Sequence, residues 1–369
     1  MALATHKIVS IGITGSIHTD QRIQRIANTL AEHQYQVNIY HRPKRPSSID
    51  STLFAGKSIH IITLQTGVPT GPLFYLLYNF VLFFKLLFKA SDAYYAVDAD
   101  TLPAFTLLSQ LKGVPMVYDA HEYFSEVPEL SGKQFKKAIW HKVVSIGSRQ
   151  AKLNLTVGPA LAKALSERYK VPFVSIRNLP YAQTTTSTEP SNERIIIYQG
   201  ALNKGRMLET LIEAMPDLPN YTCWIIGEGD LSESLRTQAK GIPNIIFKGL
   251  LTPAELKAIT PLAYVGFNLL EAADSLSYHY SLSNKFFDYI QAAVPSVSSA
   301  LPEYLALNES YQSGVCIPND KQAFIELLKS WEAAPELHQK LKENAKFAAQ
   351  SLTWENEAKL FIKAFQIWA

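Results

Sequence analysis

The sequence predicts an α/β protein built from two doubly wound parallel-sheet domains, and three observations carry that reading. The chain has 369 residues, too many for one ordinary core and about right for two. Short apolar runs alternate with helical patterns, as parallel strands do when helices cover both faces of their sheet. The alternation stops once, over 182–193, in a polar stretch that lacks any apolar period and contains a proline, and then restarts. The expected domains are 1–182 and 183–353, facing each other across a cleft, with ligands beyond the carboxyl ends of the strands.

Strands are expected in the first half at 7–13, 36–40, 58–63, 93–97, 115–118, 153–157 and 174–176. The clearest helix covers 20–33, where Ile23, Ile26, Ala27, Leu30 and Ala31 recur at helical spacing and Thr19 or Asp20 can cap the start. The segment 73–88 is apolar nearly all round, interrupted by Asn79 and Lys85. It is shorter than the ~20 apolar residues of a spanning helix. It reads as a helix either packed on a sheet or partly laid into a membrane surface. After the polar stretch, strands are expected at 194–198, 223–226, 244–247, 264–269 and 295–298. Thr252 and Glu255 form a capping box with Pro253 at the first helical position, and helices at 335–349 and 354–365 close the chain.

Composition narrows the function. Apolar residues make up 47% and charged residues 18%, a globular balance. The net charge of +3 is spread along the chain without the basic block of a nucleic-acid footprint. Cys223 and Cys316 stand far apart, with no CxxC or Cys/His spacing, so neither a zinc site nor a disulfide framework is expected. They read as two buried thiols in a reducing compartment. The short lead before the first apolar run does not read as a signal peptide, and a cytoplasmic location is expected.

Three stretches could carry chemistry. Gly200 to Arg206 follows a strand and opens a helix, with Lys204 and Arg206 supplying positive charge, the composition of an anion site or of a plain surface turn. Gly227 and Gly229 let the chain reverse after the next strand. In the stretch from Ser283 onward, Ser283 can cap a helix on which Asn284, Lys285 and Asp288 share one polar face. A helix start with a lysine favours phosphate oxygens, and a carboxylate one turn on can accept from a ribose diol. That spacing describes a nucleotide, or else a surface Lys–Asp pair.

The stretch LSNKFFDYIQAAVP (282–295) resembles the "LPNKLFEYMAAGxP" segment of retaining glycosyltransferases of family 4, with the GT-B fold. TDQRIQRIANTLA (19–31) resembles their "DPRVxREAxxLA" helix, DADTLP (98–103) their "DLDTLP", and YDAHE (118–122) their "YDxHE". QG through Arg206, GEG (227–229), FKG (247–249) and TWENE (353–357) follow in the family's order and spacing, so the resemblance covers essentially the whole chain.

The resemblance implies two Rossmann-like domains, the second binding a nucleotide-diphosphate sugar. Arg206 and Lys285, with the backbone at Ser283 and Asn284, stand where the family holds the diphosphate. Asp288 stands at its ribose-binding glutamate, and Gly249, Leu250 and Leu251 where main-chain groups read the base. Gly15, Gly200, Lys204 and Gly227 line the donor. His121, with Glu122, lies near the transferred sugar, and the closing helix 354–369 returns to the first domain. The implied activity is hexosyl transfer with retention from a UDP- or GDP-sugar to a glycan or lipid-linked acceptor in cell-surface polysaccharide synthesis. No metal or other cofactor is expected. Asp98 and Asp100 read as structural or acceptor-facing. Tyr280, Ala201 and Val97 replace a glutamate, an arginine and a histidine common in the family. A nucleotide-sugar 2-epimerase and a non-catalytic nucleotide-sugar-binding protein share these features. The apolar helix at 73–88 adds a peripheral membrane contact as an expected partner.

Overall fold

The computed structural model describes residues 7–42, 54–68, 71–183, 193–272 and 275–366. The chain divides into two compact units: one runs to Asn178 and resumes at Glu357, the other spans Leu179–Asn356. Residues 184–192 of the expected linker lie outside the described residues.

The first unit holds β1 (Ile8–Ile13), β2 (Gln36–His41), β3 (Ile59–Thr63), β4 (Ala93–Val97), β5 (Met116–Ala120), β6 (Leu153–Thr156) and β7 (Val174–Ser175). They form a seven-stranded parallel sheet in the order β3-β2-β1-β4-β5-β6-β7. The second unit holds β8 (Arg194–Gln199), β9 (Tyr221–Ile226), β10 (Ile245–Gly249), β11 (Val265–Asn268), β12 (Ser296–Ser299) and β13 (Gly314–Ile317), ordered β10-β9-β8-β11-β12-β13. Each sheet runs outward from its first strand and then resumes on that strand's other side. The order therefore reverses between β1 and β4 and again between β8 and β11, which is where such sheets take ligands. Strand β13 is absent from the apolar runs of the sequence because it has four residues at an edge, two of them half-buried. Only its register against β12 defines it.

The central strands are buried on both faces beneath helices: β4 and β5 are buried at every position, and all their residues but Asp119 of β5 are uncharged. Of the two possible caps for the helix Gln21–Glu32, Asp20 does the work, accepting from the Ile23 N–H. The helix Pro72–Leu87 packs on the first sheet through Phe74, Tyr78, Leu82 and Leu86, spaced four apart on one side. The Tyr78 hydroxyl donates to the Ile13 carbonyl at the end of β1 (2.8 Å).

Asn79 has a specific partner on the neighbouring helix Asp98–Lys112, which contains Pro103. The Asn79 amide donates to the Asp100 carbonyl and accepts from the Ala104 N–H. It stands in for the main-chain bond that would link those two groups in an undistorted helix. Among the described residues no helix is long and apolar enough to cross a membrane. The capping box at Thr252 and Glu255 is formed. Cys223 is buried, while Cys316 is half-buried, a correction to the expectation of two buried thiols.

Candidate nucleotide-sugar site

In the second unit the turns after β8, β9 and β10 lie side by side. The Gly200 N–H donates to the Ile226 carbonyl and the Gly227 N–H to the Gly249 carbonyl. At Gly227 φ is +130°, and a Cβ there would stand 1.9 Å from the Gly200 carbonyl oxygen, so no other residue fits. Beyond Gly249, Leu250 projects into solvent and Leu251 packs on the small cluster that contains Tyr289 and Val294.

The helix Asn284–Gln291 starts beside these turns in sequence order of the sheet, after β11. Ser283 occupies the capping position, but its side chain does not cap. Its hydroxyl instead donates to Asn268 Oδ1 (2.9 Å) and lies 3.1 Å from the Tyr304 hydroxyl. The expected polar face is also corrected. Asn284 is exposed, but Lys285 is 8% exposed and buried with Phe286 and Phe287. The Lys285 ammonium sits over the Tyr198 ring, 4.1 Å from its centroid, and the Arg206 guanidinium over the Tyr278 ring at 5.1 Å. Burial, and then the charge of Arg206, pull Lys285 well below its ordinary value. Among the described residues neither cation has an ion-pair partner.

Asp288, one turn on from Lys285, accepts from Gln199 Nε2 (3.2 Å), and Gln199 Oε1 accepts from the Thr260 hydroxyl (2.9 Å). The end of β8 thus orients the carboxylate. Lys204 is exposed, and its carbonyl accepts from the Tyr278 hydroxyl. Arg206 and Lys285 come together, and Asp288 lies one helical turn from Lys285. Tyr198, Tyr278 and Gln199 were not singled out from the sequence, although Tyr198 and Gln199 directly precede the loop glycine.

In the first unit, Thr14, Asp98, Asp100 and His121 gather at the carboxyl ends of β1, β4 and β5. The Thr14 hydroxyl donates to Asp100 Oδ2 (2.5 Å) across the point where the strand order reverses. The His121 N–H donates to Asp98 Oδ1 (2.9 Å), and the ring stands 3.4 Å from Asp119 and 3.9 Å from Asp98. Asp119 is fully buried, gripped by Arg22 through two bonds (2.8 and 2.9 Å) and by the Tyr95 hydroxyl (2.7 Å). Burial opposes charge on all three groups, but Arg22 holds Asp119 ionised, and Asp98 and Asp119 raise the His121 imidazole to about 9. Burial, with Asp100 nearby, pushes Asp98 up. The pair therefore holds more protons at neutral pH than the isolated groups would. Asp98 adopts φ +54°, an unusual backbone for a non-glycine residue.

Glu122 is exposed beside His121. A Cβ at Gly15 would touch nothing within 4 Å, so the chain's own packing does not require glycine there. Among the described residues no group of three or more His, Cys, Asp or Glu could hold a metal ion.

Likeness to solved structures identifies the fold. The chain resembles sucrose-phosphate synthase from Thermosynechococcus elongatus at 16% identity, with a TM-score of 0.78 over 98% of each chain. It resembles Anabaena HepE in complex with UDP and glucose at 15% identity, with a TM-score of 0.77 over 98% of this chain and 99% of that one. WaaG, a glycosyltransferase involved in lipopolysaccharide biosynthesis, is 15% identical with a TM-score of 0.73, over 95% and 99%. These likenesses define a GT-B fold of two Rossmann-like domains. Residues 183–347 match the family described as glycosyl transferases group 1. No curated protein matches the chain by sequence.

Proposed function

We propose that this chain transfers a hexosyl group, with retention of anomeric configuration, from a UDP- or GDP-sugar to a glycan or lipid-linked acceptor in the cytoplasm. One observation carries the reading: Lys285 and Arg206 lie close together near the reversal point of the second sheet, with no ion-pair partner among the described residues. A buried ammonium with a half-exposed guanidinium near it is unfavourable until an anion joins them. A diphosphate supplies that anion, and Asp288 one turn away takes the ribose hydroxyls.

As the sugar leaves, negative charge grows on the diphosphate, and fixed cations there lower the barrier without a metal ion. Gly249 to Leu251 border the base, and Gly15 leaves room for the donor phosphates. His121, protonated and steadied by Asp98 and Asp119, donates to the sugar or orients the acceptor.

A thermal-shift series with UDP, GDP, ADP and their sugars tests the donor, since a ligand at 100-fold its Kd adds ~2.7 kcal/mol of stability. Turnover with the stabilising sugar, in EDTA, should release free nucleotide and leave the product's anomeric configuration unchanged. Turnover without released nucleotide would make the protein an epimerase. Binding without turnover would make it a non-catalytic receptor, and loss of activity in EDTA restored by Mg²⁺ would end the metal-free reading.

A further inference from the structure

We propose that one face of the first unit docks on a bilayer of anionic phospholipid through a layer of three helices. The helix Pro72–Leu87 has two apolar stripes. Phe74, Tyr78, Leu82 and Leu86 face the sheet, whereas Leu76, Phe80, Phe84 and Phe88, also four apart, face solvent. Phe88 is 86% exposed and Leu76 68%, and the Phe80 and Phe84 rings touch in a tilted pair, 4.6 Å between centroids. A helix that only needed to cover a sheet would be polar on that outer side.

The stripe does not end at the helix edge. The helix Asp98–Lys112 lies alongside, its Lys112 ammonium bonded to the Leu86 and Lys89 carbonyls, and it exposes Leu107 and Leu111. The helix Gln134–Gln150 packs closely on its other flank, where a Cβ at Gly147 would stand 2.7 Å from Leu102. Trp140 meets Tyr75 of the first helix edge-on at 5.2 Å. This third helix exposes Phe135, at 79%, and Ile139. Single exposed apolar residues are ordinary, but exposed apolar residues on each of three helices packed against one another mark an interaction surface.

Charge selects the occupant. The segments 72–90, 101–113 and 131–150 contain eight Lys and Arg and no Asp or Glu, although the whole chain carries 35 basic and 32 acidic residues. An apolar strip whose own helical segments carry only cations, with the acidic neighbours Asp92, Glu126 and Glu129 at its edges and Lys137 paired to Glu126, matches a surface of acyl chains beneath anionic headgroups. Because the surface lies wholly in the first unit, the proposal stands apart from the nucleotide-sugar reading.

Flotation of the intact chain with phosphatidylcholine vesicles, with and without phosphatidylglycerol, tests it. The chain should rise with the anionic vesicles and be released by high salt. The double substitution Phe80→Ser/Phe84→Ser should weaken that binding at least about tenfold, and Lys136→Glu/Lys142→Glu should do so at low salt only. Both variants should keep the parent's melting temperature and nucleotide-induced shift, which separates lost docking from lost folding or a lost donor site. Failure to rise with anionic vesicles would overturn the proposal, and equal binding to neutral vesicles would overturn its charge pairing. A dimer in solution that Phe80→Ser/Phe84→Ser breaks apart would assign the face to a second copy instead.

Discussion

The two sheets share one strand order, yet their carboxyl ends are charged in opposite ways. In the first unit, buried charges meet their complements within the chain: Arg22 grips Asp119, and His121 stands between Asp119 and Asp98. In the second, Lys285 and Arg206 rest on aromatic rings beside each other, with no carboxylate bound to either among the described residues. A network that is already neutralised positions groups, whereas one left cationic awaits a ligand. On the reading proposed above, the second unit's cations await an anion, whereas the first unit's charges already hold one another in place.

The largest test of that contrast is removal of the cations. Lys285→Ala and Arg206→Ala should each lower turnover by about 10²–10³-fold, the usual cost of one charge-stabilising donor, while circular dichroism and melting show an intact fold. Lys285→Met should melt no lower than the parent without ligand, because it removes a buried charge that lacks a counter-ion, and should lose the stabilisation given by UDP or GDP. A Lys285→Met protein that melts several degrees lower would mean that the lysine is paired after all.

Gly227→Ala comes next. It should destabilise the second unit by about 2–4 kcal/mol, since its Cβ would press on the Gly200 carbonyl, and denaturant unfolding measures this directly. The counterpart Gly15→Ala should leave stability unchanged, because that Cβ meets nothing, and should weaken donor binding only if phosphates approach there.

The pH response should differ in sign between the units. His121 is raised in the folded protein to about 9 from an ordinary 6.5, so its contribution is complete below 6.5 and fades as the pH climbs toward 9. The elevation of Asp98 acts in the same direction. Lys285 is depressed, so the unfolded chain holds more protons there, and the empty second unit should gain stability as the pH rises toward the ordinary lysine range. Hydrogen exchange followed separately in the two units at pH 6.5 and 9 would expose these opposite slopes; parallel slopes would erase the contrast. The smallest effect is expected at Leu250, which is 76% exposed: Leu250→Ala should change stability by less than about 0.5 kcal/mol and alter only the preference among nucleotide bases.

Periodicity and turn residues made most of the fold legible. Apolar runs marked β1 to β12 because central parallel strands are buried on both faces, and the Thr252 box marked its helix because capping is local. Strand β13 stayed hidden because four residues at an edge carry no period. At the site, residue types and their spacing pointed to Lys285, Arg206 and Asp288, but their surroundings were not legible. Lys285 reads as a surface residue until Tyr198, 87 positions earlier, is brought over its ammonium. Arg22 and Asp119 sit in separate motifs 97 residues apart, so nothing in the linear order announces their pairing. Asn79 looked like an interruption of an apolar helix, and only the neighbouring helix's Pro103 gives it a reason.

The closing helix Trp354–Gln366 has a consequence for synthesis. From Glu357 onward it belongs to the first unit, where Phe361 and Phe365 are buried, Phe365 lies edge-on to Tyr35, and Glu357 accepts the Arg177 N–H. On the ribosome, the leading unit must therefore wait, with this apolar seat uncovered, until the whole second unit and this helix after it have emerged. The trailing unit can finish first, which reverses the usual order in which domains mature during translation.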